Sequence, residues 1–214
     1  MSIEENIGLI KKELPRHVKL VAAAKTRSIE EIKQAIEAGV DAIGENYIQE
    51  AEAKYKEFKG KIPIHCIGHL QSNKAKKAVE IFDMIETIDS LNLAKEIDKQ
   101  SQKLNKIMPV LVEINSAREE SKAGCMPDHA QQLVKDISLL KNIKVLGLMT
   151  MGPIKGDIAA AFRETKSLFD HIKSLSIPNT DMQILSMGMS GSYKIAVKEG
   201  ANMVRIGTKI FGPR

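Results

Sequence analysis

Eight short apolar runs, separated by longer amphipathic stretches, constrain this chain more than any other feature. They are VKLVAAAK from Val18, DAIGEN from Asp41, PIHCIG from Pro63, MIETI from Met84, MPVLVEIN from Met108, KVLGLMT from Lys144, MQILSMG from Met182 and MVRIGT from Met203. Several are almost wholly apolar, the pattern of parallel strands covered on both faces. The stretches between them read as helices. Ile29, Ile32 and Ile36 share a face after a Ser28/Glu31 capping box, and Gly39 closes that run. Pro127 opens a helix carrying Ala130, Leu133, Val134 and Ile137, and Asp157 precedes Ile158, Ala161, Phe162, Thr165, Phe169 and Ile172 at helical spacing. No linker or low-complexity tract divides the chain. The pattern therefore predicts an α/β fold, a single (β/α)₈ TIM barrel over residues 1–214. An extra N-terminal helix, capped by Ser2 and Glu5 with Ile3, Ile7 and Ile10 on one face, is expected beside the first and eighth strands. There the ending Phe211-Gly212-Pro213-Arg214 leaves no room for a full last helix.

With 43% hydrophobic residues, 4% aromatic ones and no Trp, the core must be built from Ile, Leu, Val, Met and Ala. The net charge of +5 comes from 32 basic and 27 acidic residues spread along the chain, apart from a knot at Lys74, Lys76 and Lys77. Without an Arg-rich block or aromatic platforms, this reads as a solvated surface with mild attraction for phosphates, not as a nucleic-acid face. Cys66 and Cys125 are too few for a disulfide framework and suit small buried positions in a reducing compartment. The acidic N-terminus lacks the layout of a signal peptide, and no apolar run reaches membrane length. The expectation is a cytoplasmic protein and, with no long exposed apolar stripe, a monomer.

In such a barrel, chemistry collects at the C-terminal ends of the strands. Those ends carry Lys25, Asn46, His69, Asn115, Met149-Thr150, the stretch Ser186-Met187-Gly188-Met189-Ser190, and Arg205-Ile206-Gly207-Thr208. Lys25 stands behind three alanines; burial there would favour a neutral, nucleophilic amine able to condense with an aldehyde. The loops after the seventh and eighth strands are the usual phosphate cradle of this architecture. Gly188 and Gly207 permit close backbone approach, Ser190 and Thr208 add hydroxyls, and Arg205 can point into the mouth. Plainer readings stay open for each residue: a surface lysine, an Asn46 helix cap, an ordinary loop His69 without partners at metal-ligand spacing. Glu45 and Glu113 are candidate acid–base carboxylates that no spacing singles out. Convergence of amine, phosphate loop and guanidinium on one rim favours an aldehyde that carries a phosphate.

The segments VAAAKTR around Lys25, IGENYIQE from Ile43, HCIGHLQSNK from His65, LSMGMSGSY from Leu185 and MVRIGTKIFG from Met203 together resemble the pyridoxal phosphate homeostasis proteins. The resemblance spans essentially the whole chain. It implies a barrel related to the N-terminal domain of alanine racemase, with pyridoxal 5'-phosphate (PLP) as cofactor and Lys25 as its Schiff-base lysine. It further implies Arg205 facing the pyridine nitrogen, Ser190, Gly207 and Thr208 on the phosphate, and Asn46 and His69 as neighbours of the cofactor. Where many relatives carry Ser before the lysine, this chain has Ala24 and lacks that hydroxyl.

An arginine cannot take the pyridine proton, so it leaves PLP a weaker electron sink than an acid partner would. A two-base racemase also needs an acid opposite the lysine, usually a Tyr from a second domain; the tyrosines here are Tyr47, Tyr55 and Tyr193. The resemblance thus implies a non-catalytic protein of vitamin B6 homeostasis and amino-acid balance, with PLP-dependent apo-enzymes as partners. An amino-acid racemase is the alternative. A Schiff-base aldolase using Lys25 and a basic RNA-binding module stand further back.

Overall fold

Ser2 and Glu5 start the first helix as their spacing requires. The Ser2 hydroxyl accepts from the Glu5 amide, and the Glu5 carboxylate accepts from the Ser2 amide. In the computed structural model, which describes residues 1–119, 122–153 and 156–213 (backbone only at Tyr55), helix α1 runs Ile3–Glu13. The chain then alternates through β1 (Lys19–Ala23), α2 (Ile29–Glu37), β2 (Ala42–Glu45), α3 (Ile48–Phe58), β3 (Ile64–Cys66), a 3₁₀ turn at Ser72–Lys74, α4 (Ala75–Ile81) and β4 (Met84–Ile88). It continues with α5 (Leu91–Lys103), β5 (Met108–Glu113), α6 (Pro127–Ser138), β6 (Ile143–Thr150), α7 (Ile158–Ser174) and β7 (Thr180–Met187). Helix α8 (Tyr193–Lys198), β8 (Met203–Ile206) and α9 (Thr208–Phe211) complete it. Arg214 lies outside the described residues.

All eight strands pair in parallel and in sequence order, and β8 pairs with β1 to close the barrel. The predicted (β/α)₈ barrel is the fold found. Helix α2 ends as its glycine suggested: Val40 donates to the Ala35 carbonyl and Gly39 to the Ile36 carbonyl, a Schellman closure. At Gly147, where the β6 register shifts, the backbone adopts φ +155° and a Cβ would stand 1.8 Å from the Ile184 carbonyl oxygen. Only glycine fits that approach.

Period-two alternation divides the strand residues between two cores. One face of the strands joins the helices in a continuous apolar layer that includes Leu20, Ile32, Phe58, Phe82, Ile97 and Phe162. Burial of each such side chain contributes about 1.5–3 kcal/mol. The other face fills the barrel with Val21, Ala42 and Met203, and with Met84, Leu111 and Met149, both sets packed on Ile184. Two residues further along the same strands the filling turns small or polar: Ala23, Gly44, Glu86, Glu113, Ser186 and Arg205. That change makes a site possible at the C-terminal end.

Helix α1 packs against α2 and α9, the helices that follow β1 and β8, where the sequence places it. Asn6 Nδ2 donates to the Ile210 carbonyl (2.9 Å) and Arg27 Nη2 to that of Gly212 (2.7 Å), so the N-terminal helix and first loop hold the short α9 in place.

Candidate functional site

Lys25 lies two residues past the end of β1, behind three alanines, and the chain turns at once. Thr26 has φ +66°, a region that β-branched residues rarely enter, and its amide donates to Glu50 Oε2 at 2.7 Å. Such strain costs on the order of 1–3 kcal/mol and persists where the surroundings fix it. The enclosure expected of Lys25 is not what is found: the side chain is half-buried, with Nζ 4.7 Å from the Tyr47 ring centroid.

A cavity of about 300 Å³ opens at this mouth, and Lys25, Asn46, Ser190, Gly191, Arg205, Gly207 and Thr208 line it. Six of the seven residues singled out from the sequence therefore meet. His69 does not join them. Its ring is 57% exposed, lies in a separate groove and has Nδ1 3.6 Å from Asp89. Asn46 does not cap a helix, since α3 begins only at Ile48.

The β7 and β8 loops shape an anion cradle from backbone. Gly188 has φ +92°, and a Cβ there would lie 2.6 Å from the Ala196 Cβ, so glycine lets α8 close onto the loop. The Ser190 hydroxyl accepts from the Lys209 amide (3.2 Å) and ties the two loops together. Among the described residues, the amides of Ser190, Gly191, Gly207 and Thr208 have no acceptor. Unspent amides converging on a cavity are what a phosphate oxygen needs.

Arg205 forms the inner wall and is 4% exposed. Its Nη1 donates to Ser186 Oγ at 2.5 Å and its Nη2 to the Thr150 carbonyl at 2.9 Å, with Glu86 Oε2 at 3.8 Å. Ser186 donates to Glu86 Oε2 (2.7 Å), and His65 Nδ1 donates to Glu86 Oε1 (2.8 Å). Burial pulls the Arg205 guanidinium below its ordinary range, while Glu86 and Glu113 oppose that pull. For Glu86, burial would raise the carboxyl, yet His65, Arg205 and Ser186 together hold it below the usual carboxylate value. The guanidinium is thus aimed by four buried partners (Ser186, Thr150, Glu86 and, through Glu86, His65) rather than left free at the rim.

Sequence reading missed this floor. Its signal was present as one glutamate in the apolar run MIETI and one histidine in PIHCIG, both inward by period two. The two carboxylates left undecided now separate. Glu45, buried and bonded to Lys54 Nζ (2.9 Å), is raised by desolvation that Lys54 only partly offsets. Glu113, with no such partner, is pushed up to about 7 by burial. The thiols behave as small core residues, with burial raising Cys66 to about 12 and Cys125 to about 11.

Comparison with known proteins identifies the fold and the family. The family model "Alanine racemase, N-terminal domain" matches residues 1–214. A pyridoxal phosphate homeostasis protein of Pasteurella multocida is 38% identical, covering 100% of this chain and 98% of its own. One from Synechocystis is 40% identical over 94% of each. PipY of Synechococcus elongatus, solved with PLP bound, superposes with a TM-score of 0.90 at 32% identity, covering 99% of this chain and 100% of that one. Alanine racemase of Clostridium difficile shares the fold (TM-score 0.83, 18% identity), with this chain matching 56% of its length. The barrel, its strand-end lysine and its backbone cradle therefore sit in a chain that belongs to the alanine racemase N-terminal domain family and, within it, to the pyridoxal phosphate homeostasis proteins.

Proposed function

We propose that this chain, as one domain over residues 1–214, binds PLP at the C-terminal mouth of the barrel through a Schiff base on Lys25. In this reading it holds the cofactor for intracellular homeostasis and amino-acid balance and carries out no turnover. The observation that carries the proposal is convergence: one amine, one guanidinium and four unspent amides line a single cavity of about 300 Å³. When bound, PLP supplies an aldehyde and an electron-withdrawing ring. Lys25 supplies the amine, and the amides of Ser190, Gly191, Gly207 and Thr208, with the Ser190 and Thr208 hydroxyls, take the phosphate. Asn46 forms part of the wall. Arg205, aimed by Ser186 and the Thr150 carbonyl, donates toward the ring nitrogen and has no lone pair to take its proton, so activation stays weak. His69, exposed in its own groove, has no part in this assignment.

Absence of turnover is supported by the relatives, which are named as homeostasis proteins. Of the tyrosines whose side chains are described, Tyr47 packs on the Lys25 amine, and Tyr193 donates to Glu13 while accepting from Lys209. Among the described residues, no helix is long and apolar enough to cross a membrane. We place the protein in the cytoplasm as a monomer with PLP-dependent apo-enzymes as partners and neither nucleic acid nor membrane. Titrating cofactor-free protein with PLP should give a saturable visible band, and incubation with single L-amino acids should give no D-isomer. Absence of saturation removes the binding reading, and steady D-isomer formation replaces it with a racemase.

A further inference from the structure

Glu113 ends β5 facing into the barrel and is only 3% exposed, yet its fully buried Oε2 has no hydrogen-bond partner among the described residues. An unpartnered buried carboxyl costs on the order of 1–3 kcal/mol, so its retention calls for a reason. It lines a cavity of about 270 Å³ distinct from the Lys25 cavity, and Met151 and Met189 border both.

The side-chain amide and hydroxyls of that cavity are already engaged. Ser116 and Thr150 bond each other at 2.8 Å, and Thr150 Oγ1 also donates to the Ile114 carbonyl. The Asn115 amide nitrogen donates to the carbonyls of Glu119 and Lys122. The walls offer apolar carbon from Ile114, Met151 and Met189, and the exposed Lys122 stands at the edge. The cavity therefore presents one unsatisfied acceptor in an apolar chamber, and that chamber is below the roughly 300–1,000 Å³ typical of drug-sized ligands.

We propose that this chamber is a binding site for a small aliphatic primary amine, its ammonium donating to Glu113 and its alkyl chain lying against Ile114, Met151 and Met189. A carboxylate on the ligand finds no free side-chain donor in the interior, because those of Asn115, Ser116 and Thr150 are engaged. That disfavours a zwitterionic amino acid. The groups acting on Glu113 are Arg205 on β8, which favours its ionised form, and Asp89 after β4, which opposes it. Glu113 titrates at about 7, so its acceptor strength for a cation rises through neutral pH. The proposal does not require PLP on Lys25, because the two cavities have separate polar groups.

Isothermal titration of cofactor-free protein with n-butylamine, and with norvaline as the zwitterion of similar chain length, tests it. Butylamine should bind saturably at about pH 8 and about tenfold more weakly at about pH 6, following the ionised fraction of Glu113. Glu113→Gln should lose at least about tenfold in butylamine affinity and all of this pH dependence, while PLP titration of the same variant reports an intact barrel. Should that variant fold poorly, the wild-type pH dependence decides alone. Norvaline binding as tightly as butylamine overturns the ligand class. Absence of butylamine binding, or binding that ignores pH between those values, overturns the site and leaves a chamber for water only.

Discussion

Glu113 also gives a stability prediction whose size follows from the structure. Its carboxyl is raised by burial from 4.5 to about 7. A group that titrates higher in the folded state binds more protons there, so the Glu113 contribution to wild-type stability falls as pH rises from about 4.5 to about 7 and is level beyond. The difference of about 2.5 units corresponds to roughly 3 kcal/mol at 1.36 kcal/mol per unit. Glu113→Gln cannot titrate. Its stability relative to wild type should therefore improve by about 3 kcal/mol between about pH 4 and about pH 8, whatever constant cost the amide itself brings. Urea denaturation of both proteins at the two pH values gives that double difference, and effects common to both cancel. A double difference under about 0.5 kcal/mol would show that water reaches the carboxyl freely, and the burial argument would be wrong.

Glu86→Gln should destabilise by about 3–5 kcal/mol, because it leaves the Arg205 guanidinium buried without its carboxylate at 3.8 Å. Since the folded Glu86 titrates below 4.5, that advantage is present above the usual carboxylate value and is lost as pH falls through the lowered one. Variant and wild type should converge in acid, and a constant gap in chemical denaturation down to the lowest pH would refute the pairing. Thr26→Asn should raise stability by roughly 1 kcal/mol, because asparagine tolerates the positive φ of 66° better than a β-branched residue; a lower melting temperature would argue against strain there. Lys25→Ala should abolish covalent attachment of PLP yet keep reversible binding through the amides of Ser190, Gly191, Gly207 and Thr208, measured by calorimetry. No residual binding in the folded variant would count against that division of labour.

The barrel was legible because its strands are continuous apolar runs and its helices carry their own caps. Ser2/Glu5 and Ser28/Glu31 form both reciprocal bonds that their spacing allows. Element ends were less legible: β3 covers only Ile64–Cys66 of PIHCIG, and β7 starts at Thr180 rather than Met182. The rim residues could be found because a parallel barrel brings all strand ends to one face. His69 shows where that logic stops, since the chain has already passed Gly68 and its side chain turns outward to Asp89. The floor was beyond reach for a different reason. Glu86 and Ser186 are 100 positions apart and meet only across the closed barrel, so neither periodicity nor local spacing pairs them. Burial of Glu113 without a partner is likewise a property of the assembled interior.

Borohydride treatment of the PLP-loaded protein, followed by peptide mass mapping, tests the central claim most directly. Reduction should fix a phosphopyridoxyl group on the peptide that carries Lys25, and Lys25→Ala should remove it. A group fixed mainly on Lys194 or Lys209, the other lysines near the β7 and β8 loops, or no fixed group at all, would contradict the assignment of this cavity.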